Sequence, residues 1–201
     1  AEIYQEAQRN AALRDMGTTV TAAVLRGSEL TVANVGDSRA YLVRGNRAHQ
    51  LTEDHSWVAD QVRAGVLTPE QAKTHENRNV ITRCVGNRPD VQVDLYHFRL
   101  APGDRVVLCT DGVSNVLSDA DVAGVVAGQP DPGRAAQELL SLADRQGRDD
   151  DGSVIVVSTA GTALPARRPA WVPLASLAAT AAILFVAWQA GVFRGAPPLS
   201  P

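Results

Sequence analysis

Short apolar blocks recur through the first 159 residues, and nearly every block stops at a cluster of Gly, Asp, Asn or Pro. The run from Thr18 to Leu25 has the β-branched character of a strand and ends at Arg26-Gly27-Ser28; Glu29 to Val35 follows as its hairpin partner. Gly36-Asp37-Ser38-Arg39 interrupts the pattern, and Ala40 to Arg44 resumes it before Gly45-Asn46 turns the chain again. Neighbouring strands joined by such short turns predict an antiparallel sheet. Ahead of them, Ile3, Ala7 and Leu13 among Glu, Gln and Ala predict one amphipathic helix over 1–14. From Leu51 to Gly86 the spacing turns helical: Val58, Val62 and Leu67 share one segment and Pro69 opens a second, so a helical insertion separates two groups of strands.

The sheet pattern returns around 91–100 and again at Arg105 to Cys109, an apolar run bounded upstream by Pro102-Gly103-Asp104. Thr110-Asp111-Gly112 then turns the chain and leaves Asp111 at the rim of the sheet. Ser118 caps a helix with Asp119 and Asp121 in its first turn, and Pro132 opens another whose apolar face is Ala135, Ala136, Leu139, Leu140 and Ala143. Gly152-Ser153 begins a last strand, Val154 to Val157.

Beyond residue 160 the pattern changes. Residues 161–171, with Leu164-Pro165-Ala166-Arg167-Arg168-Pro169, read as a linker, and no charged residue occurs from Pro169 to Phe193. As a helix, 172–193 is about 33 Å long at about 1.5 Å per residue, enough to cross roughly 30 Å of hydrocarbon. Trp171 and Trp188 suit the interfaces, and Arg167 and Arg168 against Arg194 put the larger domain on the cytoplasmic side. The rival reading is a buried core helix. The expected organisation is a globular domain over 1–160, a linker, a single membrane-spanning helix over 172–193 and a tail over 194–201.

Composition adds mainly exclusions. A net charge of −3 without long like-charge runs gives no nucleic-acid footprint. Cys84 and Cys109, the only two cysteines, stand far apart in apolar surroundings and predict reduced thiols, not a disulfide framework. Three acidic turns carry the candidate chemistry: Gly36-Asp37-Ser38, Thr110-Asp111-Gly112 and Asp149-Asp150-Asp151-Gly152. Each adjoins a strand, so one sheet rim can gather them. Oxygen donors without His or thiolate favour Mg²⁺ or Mn²⁺ over Zn²⁺. Two such ions about 3.5 to 4 Å apart activate water and clamp a phosphoryl oxygen. The bland alternative is a set of solvated turns. His55 and His75 lack ligand spacing to a second His or Cys, and each reads as surface or structural.

Four segments, taken in order, resemble bacterial type 2C metal-dependent serine/threonine protein phosphatases: Val35-Gly36-Asp37-Ser38-Arg39-Ala40-Tyr41, Leu51-Thr52-Glu53-Asp54-His55-Ser56, Leu108-Cys109-Thr110-Asp111-Gly112, and Asp150 ahead of Val154-Ile155-Val156-Val157. The likeness covers about 1–160. It implies an α/β fold, a four-layer α-β-β-α sandwich of two mainly antiparallel sheets, with metal-activated water hydrolysing phosphoserine and phosphothreonine. By position it makes Asp111 and Asp150 ligands of two core Mn²⁺ or Mg²⁺ ions and matches Asp37 with Asp111 to a third-ion site. No catalytic residue separate from the metal ligands is assigned. The insertion from Asp54 to Gly86 corresponds to the flap that shapes substrate access. The partners implied are phosphoproteins made by a serine/threonine kinase, with the membrane reached through the C-terminal helix and the phosphatase domain in the cytoplasm.

Two departures from that family pattern bear on the expectation. The family usually has Asp-Asn where this chain has Asp150-Asp151, so Asp149, Asp150 and Asp151 all compete for the last ligand, with Asp150 favoured. No Arg-x-x-Asn-Glu-Asp or Asp-Gly-x-Gly-Gly motif occurs in these 201 residues, which makes a truncated enzyme, inactive by itself, the expected reading. The alternative is a membrane-tethered, non-catalytic regulatory or binding module of the same fold. A cysteine-nucleophile route fails because Asn115 stands where the phosphate-binding Arg belongs, and an aspartyl-phosphate route fails because position 113 is Val.

Overall fold

The computed structural model of the chain describes residues 1–14, 16–159 and, as backbone, 183–187. Glu2–Arg9 forms α1, and the single helix expected over 1–14 ends there. Asn10 sits in extended conformation and its side chain accepts the Ala12 N–H, starting a separate 3-10 turn at Ala11–Leu13. This is the usual competition between an Asn side chain and the helical backbone.

β1 (Thr19–Arg26) and β2 (Glu29–Val35) form the expected hairpin, in register from Val20↔Val35 to Arg26↔Glu29. The next strands do not extend that sheet, contrary to the sequence pattern. β3 (Arg39–Arg44) and β4 (Arg47–Gln50) belong to a second one. The chain crosses between sheets at Gly36-Asp37-Ser38, where Gly36 has φ 109°. A Cβ at Gly36 would lie 2.3 Å from Thr19 Cγ2, so the crossing needs glycine for both its backbone angle and its contact with β1.

The helical insertion contains α2 (Trp57–Arg63) and α3 (Pro69–Thr74), the latter opened by Pro69 and a capping box between Thr68 and Gln71. β5 (Asp94–Arg99) returns to β2 and β6 (Arg105–Cys109) to β3. A one-turn helix α4 (Asp111–Ser114) follows where a simple turn was expected. α5 (Asp119–Gly128) is capped by Ser118 with Asp121 reciprocating, and α6 (Pro132–Arg145) by Asp131. β7 (Val154–Ser158) then pairs with β6. The sheet orders are β4-β3-β6-β7 and β5-β2-β1-β8, with every pairing antiparallel, β8 being Ile183–Ala187.

Alternation along the strands fixes the layers. Leu30 and Val32 from one sheet and Ala40, Leu42, Val106 and Leu108 from the other form a single cluster, so the sheets pack face to face. On the opposite side of β3 and β6, Tyr41, Val43, Val107 and Cys109 meet Val122 and Val126 of α5 and Leu139 and Ala143 of α6. Each such Val or Leu contributes about 1.5–3 kcal/mol by leaving water. The outer face of the first sheet is different: Val20, Ala22, Val24 and Ala33 are half-buried and Leu95 is 60% exposed. The described residues thus show two antiparallel sheets packed face to face, with α5 and α6 covering the second.

The membrane-spanning helix expected over 172–193 lies outside the described residues except for 183–187, and those five are strand β8, not helix. Ile183-Leu184-Phe185-Val186-Ala187 is rich in strand-favouring residues, and a continuous apolar run does not by itself separate a buried strand from a helix. Among the described residues no helix is long and apolar enough to cross a membrane. The two thiols are free as expected, Cys109 buried and Cys84 half-buried.

Candidate metal centre

Strand register brings the three acidic turns together. Arg39 pairs with Cys109 and Cys109 with Val154, so the start of β3, the end of β6 and the start of β7 lie abreast. Asp37, Asp111 and Asp150 each sit just outside one of those ends, at one rim of the second sheet.

The Asp111 and Asp150 turns are joined through backbone. Thr110 N donates to Ser153 O at 3.1 Å, and Ser153 N donates to Thr110 Oγ1 at 3.0 Å. Gly112 is buried against the other loop: a Cβ there would stand 2.6 Å from Asp151 O and 3.0 Å from Asp150 O. The glycine in Thr-Asp-Gly is thus required by the approach of the last acidic turn. Within that turn Asp151 N donates to Asp150 Oδ1 at 2.7 Å, and Arg148 Nη1 donates to Asp150 O at 2.9 Å. Asp149, Asp150 and Asp151 are all exposed.

Asp37 is different, being only 8% exposed. Its carboxyl is raised from the ordinary Asp range to about 7, first by burial and then by the carboxylates of Asp111 and Asp54, with Arg39 opposing. Arg39 is committed elsewhere: Nε lies 3.0 Å from both Asp54 oxygens, Nη2 donates to Asp54 Oδ2 at 2.6 Å, and Nη1 donates to the Tyr41 hydroxyl at 3.1 Å. Below the turn, Thr21 Oγ1 donates to Asn34 Oδ1 at 2.7 Å, Asn34 Nδ2 donates to Gly36 O at 3.2 Å and Glu53 O at 3.1 Å, and Thr19 Oγ1 meets Ser38 Oγ at 2.9 Å. His55, read from sequence as surface or structural, is a buried structural residue whose Nδ1 accepts the Gly36 N–H at 3.0 Å. Asp54, Arg39 and Asn34 were not singled out as part of the site. Asn34 did carry a signal, since it falls in phase with Leu30 and Val32 on the inward face of an apolar strand.

The thiol reading is closed by geometry. Cys109 is 1% exposed and its thiol is pushed up to about 12, chiefly by burial, so no thiolate nucleophile forms there near neutral pH.

The donor set suits a hard divalent cation in kind and in charge, because Asp37 is buried near two further carboxylates, and burial first and those charges second raise its acid. Among the described residues no group of three or more His, Cys, Asp or Glu stands ready to hold an ion.

Residues 1–61 match the family Protein phosphatase 2C. The Mycobacterium tuberculosis serine/threonine phosphatase PstP/Ppp is 33% identical with a TM-score of 0.74 over 80% of this chain and 67% of its own. The chain belongs to the protein phosphatase 2C family. Another 2C relative, the serine/threonine phosphatase stp of Listeria welshimeri, is 33% identical over 77% of this chain, which spans 61% of that relative's length. The catalytic domain of PstP solved in complex with two manganese ions gives 33% identity and a TM-score of 0.69 over 77% of this chain and 64% of its own.

Proposed function

We propose that this chain serves a metal-dependent protein serine/threonine phosphatase, with Asp111 and Asp150 as ligands of the core ions and Asp37 serving a further one. The observation that carries this reading is the meeting of three acidic turns at one rim with a buried, countercharge-deficient Asp37 among them. When bound, Mn²⁺ or Mg²⁺ would activate water and neutralise charge on the phosphoryl group. The chain's own residues do the rest. Gly112 and Thr110 fix the Asp111 turn against the Asp150 turn, while Arg39 and Asn34 hold the frame around Asp37. The PstP complex with two manganese ions supports Mn²⁺ as the first ion to try. Phosphoproteins made by a serine/threonine kinase are the substrates this reading entails.

The test is hydrolysis of a phosphothreonine peptide by the complete protein with Mn²⁺. Asp111→Asn and Asp150→Asn are each expected to cut turnover by orders of magnitude, because each weakens the hold on an ion that activates water. Wild-type rates in both variants at saturating Mn²⁺ would refute the ligand assignment. The second reading is a non-catalytic binding module of the same fold, which rests on the lack of an Arg-x-x-Asn-Glu-Asp or Asp-Gly-x-Gly-Gly motif in these 201 residues. Wild-type protein that binds Mn²⁺ but turns over no phosphopeptide would establish it.

Membrane attachment through 172–193, with the phosphatase domain on the cytoplasmic side, belongs to the same proposal and is supported by the uncharged run and its flanking arginines. A helix crossing the bilayer and β8 are mutually exclusive for 183–187. Retention in the membrane pellet after a detergent-free, high-salt wash supports the helix, and release into the soluble fraction rejects it.

A further inference from the structure

His55 sits where three parts of the molecule meet, and its hydrogen bonds allow only one arrangement of its proton. The Gly36 amide lies 3.0 Å from Nδ1 and can only donate, so Nδ1 carries no proton. The ring's proton is then on Nε2, which lies 2.9 Å from Asp94 Oδ2 and donates to it. Arg83 Nη1 also lies 3.0 Å from Nε2; two donors cannot bond each other, so that guanidinium donates to Asp94 Oδ1 at 2.7 Å instead. Burial pushes the Asp94 carboxyl up, but the bonds from His55 and Arg83 outweigh it and hold it below the ordinary range.

The backbone of His55 repeats the connection. His55 N donates to Gly36 O at 3.0 Å, and Thr82 N donates to His55 O at 2.8 Å. Gly36 is thus gripped on both its polar groups by one residue, which is itself fastened to the far root of the insertion at Thr82 and Arg83. The side chain is 4% exposed, so water does not substitute for a lost partner there.

We infer that His55 is a positioning residue: through Nδ1 it holds the Gly36–Asp37 turn, and through Nε2 and Asp94 it ties that turn to Arg83 at the root of the helical insertion. This rests on the reading of Asp37 as a carboxylate of the metal site. A displacement of the insertion root reaches the Gly36–Asp37 turn through the His55 ring and, in parallel, through the His55 backbone. His55 does not touch substrate or metal; its effect is on how well Asp37 is placed.

The experiment has three arms. Long-range ¹H–¹⁵N NMR of the wild-type imidazole is expected to show Nδ1 unprotonated and Nε2 protonated. A protonated Nδ1 overturns the inference without any variant. Amide exchange at Gly36 is expected to quicken about tenfold or more in His55→Ala, the weight of one hydrogen bond, and to be largely restored in His55→Asn, whose Oδ1 can replace Nδ1 as acceptor. Unchanged exchange at Gly36 in a folded His55→Ala protein also overturns it. Mn²⁺ titration followed by electron paramagnetic resonance is expected to weaken several-fold in His55→Ala and Asp94→Ala, and the His55→Ala effect should vanish in an Asp37→Asn background. Gly36 exchange that quickens while Mn²⁺ binding stays put upholds the positioning role and overturns the metal reading of Asp37 instead.

Discussion

The paired strands β3 and β6 carry a buried carboxylate near each end, and the two are in opposite electrostatic states. At one end Asp104, 1% exposed, takes two bonds from Arg44, Nε to Oδ1 at 2.8 Å and Nη2 to Oδ2 at 2.7 Å, and a third from Ala101 N at 2.7 Å. Those donors hold its acid below the ordinary range. At the other end Asp37 has Asp111 and Asp54 for neighbours, while the nearby Arg39 is bound to Asp54, and its acid is raised to about 7. A carboxylate that only has to hold the fold is given its countercharge by the protein. One left short of it is suited to a cation from outside.

The largest effect expected from breaking this comparison is at the satisfied end. Asp104→Ala should destabilise the protein by about 2–3 kcal/mol, because it strips the Ala101 amide and Arg44 of their acceptor. The Arg44 side chain is about half in water, which screens the pair and keeps the cost from being larger. Urea unfolding at pH 7 measures it, and a loss under 0.5 kcal/mol would show that Asp104 is not a structural anchor. The pH dependence has a definite sign. Asp104 has a lowered acid, so its contribution is present above about pH 4 and disappears as the solution is acidified further.

At the unsatisfied end the sign reverses. The folded state keeps a proton on Asp37 that the unfolded chain gives up, so this group's contribution falls as pH rises from about 4 to about 7 and stays low above that. In metal-free protein Asp37→Asn is therefore expected to raise stability at pH 8 by about 1–2 kcal/mol and to leave it unchanged at pH 4. The full shift sets an upper bound of about 4 kcal/mol, which relaxation around the charge reduces. Thermal unfolding in chelator at the two pH values is the measurement. A variant no more stable than wild type at pH 8 would mean that Asp37 already has its countercharge from the protein.

Most of the strands were legible because their apolar blocks are short and their turns are marked by Gly, Pro and Asp, as at Arg26-Gly27-Ser28 and Pro102-Gly103-Asp104. The helix starts at Ser118 and Pro132 were legible from capping chemistry alone. What was not legible is which sheet a strand joins. β2 and β3 are separated by three residues and look like neighbours, yet Gly36 sends them into different sheets, because the constraint is its approach to Thr19 in space. β4, Arg47-Ala48-His49-Gln50, is an edge strand without an apolar alternation to reveal it. The acidic turns were found as candidates, since Asp beside Gly at a strand end is a local signal. Their electrostatic difference was not, because Asp37 and Asp150 look alike in sequence and differ only in burial and in the carboxylates folding brings near.

The smallest expected stability change is at Asp150, and it separates site chemistry from fold. Asp150 is exposed, and its Oδ1 accepts the Asp151 N–H, a bond that Asn can keep with its own oxygen. Because the side chain is exposed and Asn keeps this acceptor, Asp150→Asn should change stability by no more than about 0.5 kcal/mol in chelator. The same substitution removes a negative charge from the rim where a cation would sit, so added Mn²⁺ should stabilise the variant less than wild type by the difference in their binding. Parallel melts with chelator and with Mn²⁺ therefore give a near-zero difference in the first and a clear one in the second. Equal Mn²⁺ stabilisation of both proteins would move the last ligand to Asp149 or Asp151. A loss in chelator as large as that of Asp104→Ala would mean that the Asp150 turn, like the far end of β6, is built to hold the fold.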